Sequence, residues 1–233
     1  MWLNFDPIYF VFLAPAMLLA LWAQFRVRST FHAASQIPSD GGLSGAQAAY
    51  QLLRYAGIQG VEIEPAQGFL SDHYVPGQKL LRLSPDVYGG RSLAAVGVAA
   101  HECGHAMQDA KRYPLLGLRN FLVPVASIGS NLAWVILLAG FLFSLLPLIY
   151  AGIIAFSTTV AFQLVNLPVE FDASRRARAA LRNAGLVSYE EDREIKKVLG
   201  AAALTYVAAT LTSVLTLLYF LLRSGLLGSR RSA

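Results

Sequence analysis

Uncharged stretches divide the chain into apolar and water-facing regions. No Asp, Glu, Lys or Arg occurs between Asp6 and Arg26, a run of 19 residues. A second run, between Arg119 and Glu170, has 50 residues, and a third, between Lys197 and Arg223, has 25. A bilayer core about 30 Å thick is crossed by about 20 apolar helical residues. The first and third runs fit one crossing each. A single helix through the second would be about 75 Å long, so that run is predicted to fold back near Pro147 into two. The predicted spans are 8–25, 123–143, 148–167 and 198–222, with Trp2, Tyr9 and Trp22 as interfacial aromatics and Pro15 inside the first. The fold class expected is mainly α, a polytopic membrane protein with about four transmembrane helices.

The pattern between the spans differs. Ser44 caps a predicted helix through Ala56, ended by Gly57 and Gly60. Val61–Glu64 alternates apolar and acidic positions as a half-exposed strand does. Phe69–Tyr74 and Lys79–Leu83 flank Val75-Pro76-Gly77-Gln78 and predict a short hairpin. A helix is expected from Ser92 to Asp109, a separate basic helix over 169–183, and an acidic loop over 189–194. The domain organisation expected is 1–25 as the first span, 26–120 as a cytoplasmic domain, and 121–168 as spans two and three. A cytoplasmic helix (169–197), a fourth span (198–222) and a basic tail (223–233) complete it.

Composition agrees with this division. Hydrophobic residues make up 55% and charged ones 14%, against about 25% charged in a soluble domain. The net charge of +5 does not imply nucleic acid, because the basic residues flank the spans. Four crossings put loops 26–120 and 167–198 on one side, and together they carry 16 of the 19 Lys and Arg. The positive-inside rule then predicts a multi-pass protein of the cell (inner or plasma) membrane with both loops in the cytoplasm. Arg223, Arg230 and Arg231 stand against this unless the fourth segment folds back. The first span reads as a retained helix rather than a cleaved signal peptide. A single cysteine, Cys103, excludes an intramolecular disulfide.

The chemistry concentrates in His101-Glu102-Cys103-Gly104-His105. Two histidines four apart on a helix share a face and can hold one zinc ion, while Glu102 beside them can accept a proton from water. With four His and seven Glu in the chain, chance yields this pattern roughly 0.002 times, so its mechanistic meaning outweighs coincidence. The bland alternative is a buried helix whose polar groups pair with one another. Cys103 points away from the histidine face and reads as packing; Gly104 lets another element approach closely. A catalytic zinc needs a third protein ligand and an open position. The candidates are His32, His73, Asp109, Asp172, Glu170 and the acidic loop. Glu170 is favoured, because a carboxylate at the edge of a span is costly unless paired or metal-bound; the alternative is a pair with Arg175 or Arg176. Asp109, four residues after His105, could orient a ligand histidine or simply be solvated at a helix end.

These residues resemble a family. Leu70-Ser71-Asp72-His73-Tyr74, Arg82–Tyr88, Ala99–Ala106 and Leu167–Ser174 are similar to the corresponding stretches of the YugP-type neutral zinc metallopeptidases, small bacterial membrane proteins. The chain is more distantly similar to membrane gluzincins of the HtpX and CAAX-prenyl-protease type. In those a second motif, Glu-x-x-x-Asp, supplies the third zinc ligand. Glu170 matches its Glu, whereas Ser174 stands at the Asp position and offers at most one hydrogen bond. The resemblance implies a small cytoplasmic α+β gluzincin-like domain, one Zn²⁺ per chain held by His101, His105 and Glu170, and Glu102 as general base.

Weaker candidates surround this set. His73 could contact substrate or an oxyanion, or be a structural histidine in its turn. Tyr206 could face a cavity or be a packed tyrosine. Arg176, with Arg175, Arg178 and Arg182, forms a basic face suited to lipid headgroups or to a substrate carboxylate. The function expected is an integral membrane zinc endopeptidase. Its partners are the lipid bilayer and a peptide or membrane-protein substrate, and resemblance to quality-control proteases implies a role in that process. The strand at 79–83, or its hairpin, is expected to pair with extended peptide. The rivals are a non-proteolytic zinc hydrolase and a structural membrane protein with a closed four-ligand zinc site. No nucleic acid is expected, and the sequence leaves the oligomeric state open.

Overall fold

The computed structural model describes residues 7–68 and 71–226. The chain is a mainly α polytopic membrane protein, 76% helical, with a small three-stranded sheet. In order it forms α1 (Pro7–Ser35), α2 (Gly45–Tyr55), β1 (Glu62–Pro65), β2 (His73–Val75), β3 (Leu80–Leu83), α3 (Pro85–Tyr88), α4 (Leu93–Ala110), α5 (Pro114–Leu142), α6 (Leu146–Asn183) and α7 (Tyr189–Arg223). Four of these, α1, α5, α6 and α7, are long and apolar enough to cross a membrane, with mean hydropathy of 1.7 to 2.0 in their most apolar windows. Two compact units result: residues 1–22, 118–167 and 205–233 in the first, and residues 23–117 and 168–204 in the second. Trp2, Phe69, Leu70, Arg230 and Arg231 lie outside the described residues.

The structure lengthens the predicted helices. The expected break between span three and the basic helix is absent: α6 runs through Pro168 to Asn183. A proline inside a helix removes one backbone donor, and the helix-forming residues on both flanks carry α6 across that gap. The expected acidic loop is the first turns of α7. Ser188 Oγ accepts from Glu191 N–H at 3.2 Å, and Glu191 Oε2 accepts from Ser188 N–H at 2.7 Å. That reciprocal capping box starts the helix there, and carboxylates in a first turn suit the helix dipole. The first helix likewise continues ten residues past the predicted end of its span, to Ser35.

In the second unit α2 begins where Ser44 predicts, with Gln47 closing a capping box. The sheet order is β1-β3-β2, parallel between β1 and β3 and antiparallel between β2 and β3. Of the hairpin expected to receive a peptide, β3 is paired on both sides, so its free edge is that of β2, and the sheet's other edge is β1. The core of this unit gathers Leu52, Leu53, Leu81, Leu83, Val87, Leu93, Val96, Leu181, Ile195 and Val198, all nearly or fully buried. In the first unit Ala133, Leu137, Ile149, Ile153, Phe156, Val160 and Phe220 form a separate cluster.

Candidate metal centre

Both histidines stand on α4, a helix started by Ser92, whose hydroxyl accepts from Ala95 N–H. Its apolar residues bury nearly the whole circumference, so the polar pair sits inside the unit, with His105 8% exposed. Gly104 explains how a second helix comes near. A Cβ there would lie 2.3 Å from the carbonyl oxygen of Ala173 on α6, so only glycine permits the approach. Cys103 points away, as expected: it is fully buried, its Sγ 3.6 Å from Ala49 O, and burial raises its thiol pKa far above the usual range.

The close approach brings Glu170 of α6 to the histidines. Glu170 Oε2 is 3.3 Å from His101 Nε2 and 3.6 Å from His105 Nε2. The three side chains present ligand atoms within 4.8 Å of one another. In a tetrahedron with bonds of about 2.0–2.1 Å to each ligand, the ligand atoms stand roughly 3.3–3.4 Å apart, which the two measured separations approach. Two imidazoles and one carboxylate are also donors that zinc accepts. These residues therefore fit zinc. Asp172, proposed as an alternative ligand, accepts from Arg175, Arg176 and Gln108 instead. Arg175 and Arg176 thus pair with Asp172, and Arg178 and Arg182 with Asp192. The basic face is engaged in ion pairs and is not a bare cationic surface.

Glu102 follows His101 and is 7% exposed. Burial pushes its carboxyl pKa up to about 7, against a nearby imidazole and a backbone hydrogen bond from Tyr74, which favour the charged form. The protein thus holds a carboxyl group poised to exchange a proton near neutral pH, beside the cluster.

The family described as "Putative neutral zinc metallopeptidase" matches residues 9–225. The chain belongs to that family. It is also similar to the "Putative membrane protease YugP" of Bacillus subtilis (strain 168), 45% identical over 214 residues, which cover 91% of this chain and 95% of that protein. No solved structure matches it. Membership implies zinc, and His101, His105 and Glu170 are grouped so that they could hold a metal ion.

The remaining candidates fall outside the cluster. Asp109 accepts from Tyr74 Oη at 2.9 Å, and the partner of His105 is Gln108, 3.0 Å from its Nδ1. Positions three and four residues after His105 share its face, and it is the residue three positions on, Gln108, that lies beside the ring nitrogen. Gln108 was missed, although its spacing from His105 was visible. His73 is exposed and bonds Ser71 O through Nδ1 at 2.7 Å, within its own turn. Tyr206 is half-buried on the part of α7 that belongs to the other unit. Arg176 is tied to Asp172 and stacks 5.5 Å from the Tyr113 ring centroid. Ser174 Oγ lies 3.1 Å from His101 Nδ1.

Proposed function

We propose that this chain is an integral membrane zinc endopeptidase in which His101, His105 and Glu170 hold one metal ion and Glu102 moves the proton. The observation that carries the reading is a three-donor cluster with a buried, raised-pKa carboxyl group one residue from its first ligand. Zinc, when bound, would supply Lewis acidity, polarising a scissile carbonyl and acidifying water. Glu102 takes the proton of the attacking water on its carboxylate oxygen and returns it to the leaving amine nitrogen. The cluster offers three protein donors among the described residues, so a zinc ion held by them would keep a fourth position for water or substrate. A closed structural site would need another donor, and Asp109 and Asp172 both have other partners.

An extended substrate would lie along β2, the outer strand of the hairpin. Strand addition needs only backbone groups, so it suits a peptide of any sequence. The unit carrying these residues would face the cytoplasm, because the two loops that build it hold 16 of the 19 basic residues. The substrates would be membrane proteins, in keeping with the likeness to a putative membrane protease, and the resemblance to quality-control proteases would place their cleavage in that process. Purified full-length protein loaded with zinc should cleave unstructured peptides. Glu102→Gln should bind the same zinc and cleave about 10²–10⁴-fold more slowly. Equal cleavage by that variant would remove Glu102 from the mechanism, and a zinc-loaded parent that cleaves nothing would remove the peptidase reading.

A further inference from the structure

We propose that Gln108 is a positioning residue that fixes which ring nitrogen of His105 faces the metal. The inference rests on the zinc-site reading and concerns a residue outside the three ligands. Gln108 is fully buried. Its amide nitrogen donates to Val169 O at 2.8 Å and to Asp172 Oδ2 at 3.0 Å. Both partners can only accept, so the amide has one orientation. Its oxygen must then be the atom 3.0 Å from His105 Nδ1, and an amide oxygen also only accepts. The proton of a neutral His105 therefore sits on Nδ1, which leaves the Nε2 lone pair directed at Glu170 Oε2, 3.6 Å away.

A metal ion bound by the cluster would take the Nε2 lone pair of His105 together with the Glu170 carboxylate. Asp172 is held in turn by Arg175 and Arg176, so the amide's orientation is anchored by an ion-paired carboxylate. His101 differs. Its Nδ1 faces Ser174 Oγ, and a hydroxyl can donate or accept, so this contact does not select a tautomer. The two zinc-directed histidines are thus supported unequally, and His105 is the pre-organised one.

The test uses full-length detergent-solubilised protein and two metals. Zinc affinity, read by competition with a chelator of known affinity, should fall about 10–100-fold in Gln108→Met, which keeps the length and loses both amide functions. Ser174→Ala should lose less than Gln108→Met. In Co²⁺-loaded protein each bound imidazole shows a paramagnetically shifted, exchangeable N–H resonance. Gln108→Met should move or broaden that of His105 and leave that of His101 in place, a selectivity that general loosening of the fold does not produce. Zinc binding within twofold of the parent, together with two unchanged N–H resonances, would overturn the proposal.

Should Gln108→Met fail to fold, Asp172→Asn tests the same link. An Asn amide can face Gln108 with either atom and lets its side chain turn over, so zinc should again bind more weakly. Unchanged zinc affinity and cobalt resonances in that variant would overturn the proposal equally. The outcomes separate the two readings. A parent that binds no zinc defeats the metal site itself, whereas a parent that binds zinc no better than Gln108→Met defeats only the role of Gln108.

Discussion

The two units solve the problem of packing helices in opposite ways. In the first, large apolar side chains point outward: Leu18, Leu21, Phe121, Ile128, Val135, Leu138 and Ile154 are all more than half exposed. Its helices meet through small residues, since a Cβ on Gly129, Gly140 or Gly152 would strike Thr158, Ile149 or Leu137. Among lipid tails as apolar as leucine, close fit holds helices together in place of burial from water. An aromatic group of Trp134, Phe156, Tyr219 and Phe220 fills the space between them, with edge-on contacts of 5.7 to 6.1 Å.

The second unit buries its large apolar side chains inward and carries polar groups among them. Glu102, His105, Gln108, Glu170, Asp172, Glu191 and Asp192 are all buried there. Such groups are tolerable only when each has a partner, and partners hold them: Arg178 grips Asp192 with two hydrogen bonds, and Glu191 accepts from Asp40 N–H as well as from Ser188 N–H. The candidate metal centre therefore lies in the unit whose interior carries polar networks, and the other unit supplies apolar surface.

The contrast can be broken most sharply at Glu170. Glu170→Ala should abolish stoichiometric zinc binding and all zinc-dependent cleavage while the apolar unit stays folded; full zinc occupancy in that variant would remove Glu170 from the ligand set. Orientation is also all-or-none. In a Cys103→Ala background, single cysteines at the exposed positions Gln59 and Tyr189 should both escape a membrane-impermeant reagent applied from outside. Labelling of just one would show that the two water-facing loops lie on opposite sides.

A smaller effect concerns pH. Glu102 titrates near 7 in the folded protein against an ordinary value of 4.5, so the folded state binds its proton more tightly than the unfolded chain does. Stability of the metal-free protein should therefore fall as pH rises from about 4.5 to about 7, and Glu102→Gln should escape that loss. The advantage of the variant at pH 8 should be about 3 kcal/mol, vanishing near pH 4, as read from denaturation at both values. A variant no more stable than its parent at pH 8 would mean that Glu102 is not buried as an acid.

The smallest difference compares two glycines, one in each unit. Gly104→Ala meets the backbone carbonyl of Ala173, whereas Gly152→Ala first meets the Leu137 side chain. Backbone yields less readily than a side chain, so the first should cost about 1–3 kcal/mol and weaken zinc binding, and the second about 1 kcal/mol with zinc binding intact. Equal effects on zinc would show that the units are not separate in this respect.

Local pattern was enough for much of this molecule. Long uncharged runs announced four apolar helices, because a bilayer tolerates few charges in its core. The histidine spacing announced a shared helical face, because 3.6 residues make a turn. Ser188-x-x-Glu191 was an equally legible start signal for α7, hidden only because the acidic residues around it resemble a solvated loop. What no local pattern contained was the partner of each polar group. Asp172 and Asp109 were as eligible as Glu170 by residue type, and only the docking of α6 at Gly104 determined that Glu170 meets the histidines while Asp172 turns to Gln108 and its arginines. Likewise β3 reads as a free strand until β1, nearly twenty residues earlier, is seen to cover its second edge. Residue type and spacing determine which groups can act. Which of them meet is set by the approach of distant segments, since a hydrogen bond or metal ligand works only within a few ångströms.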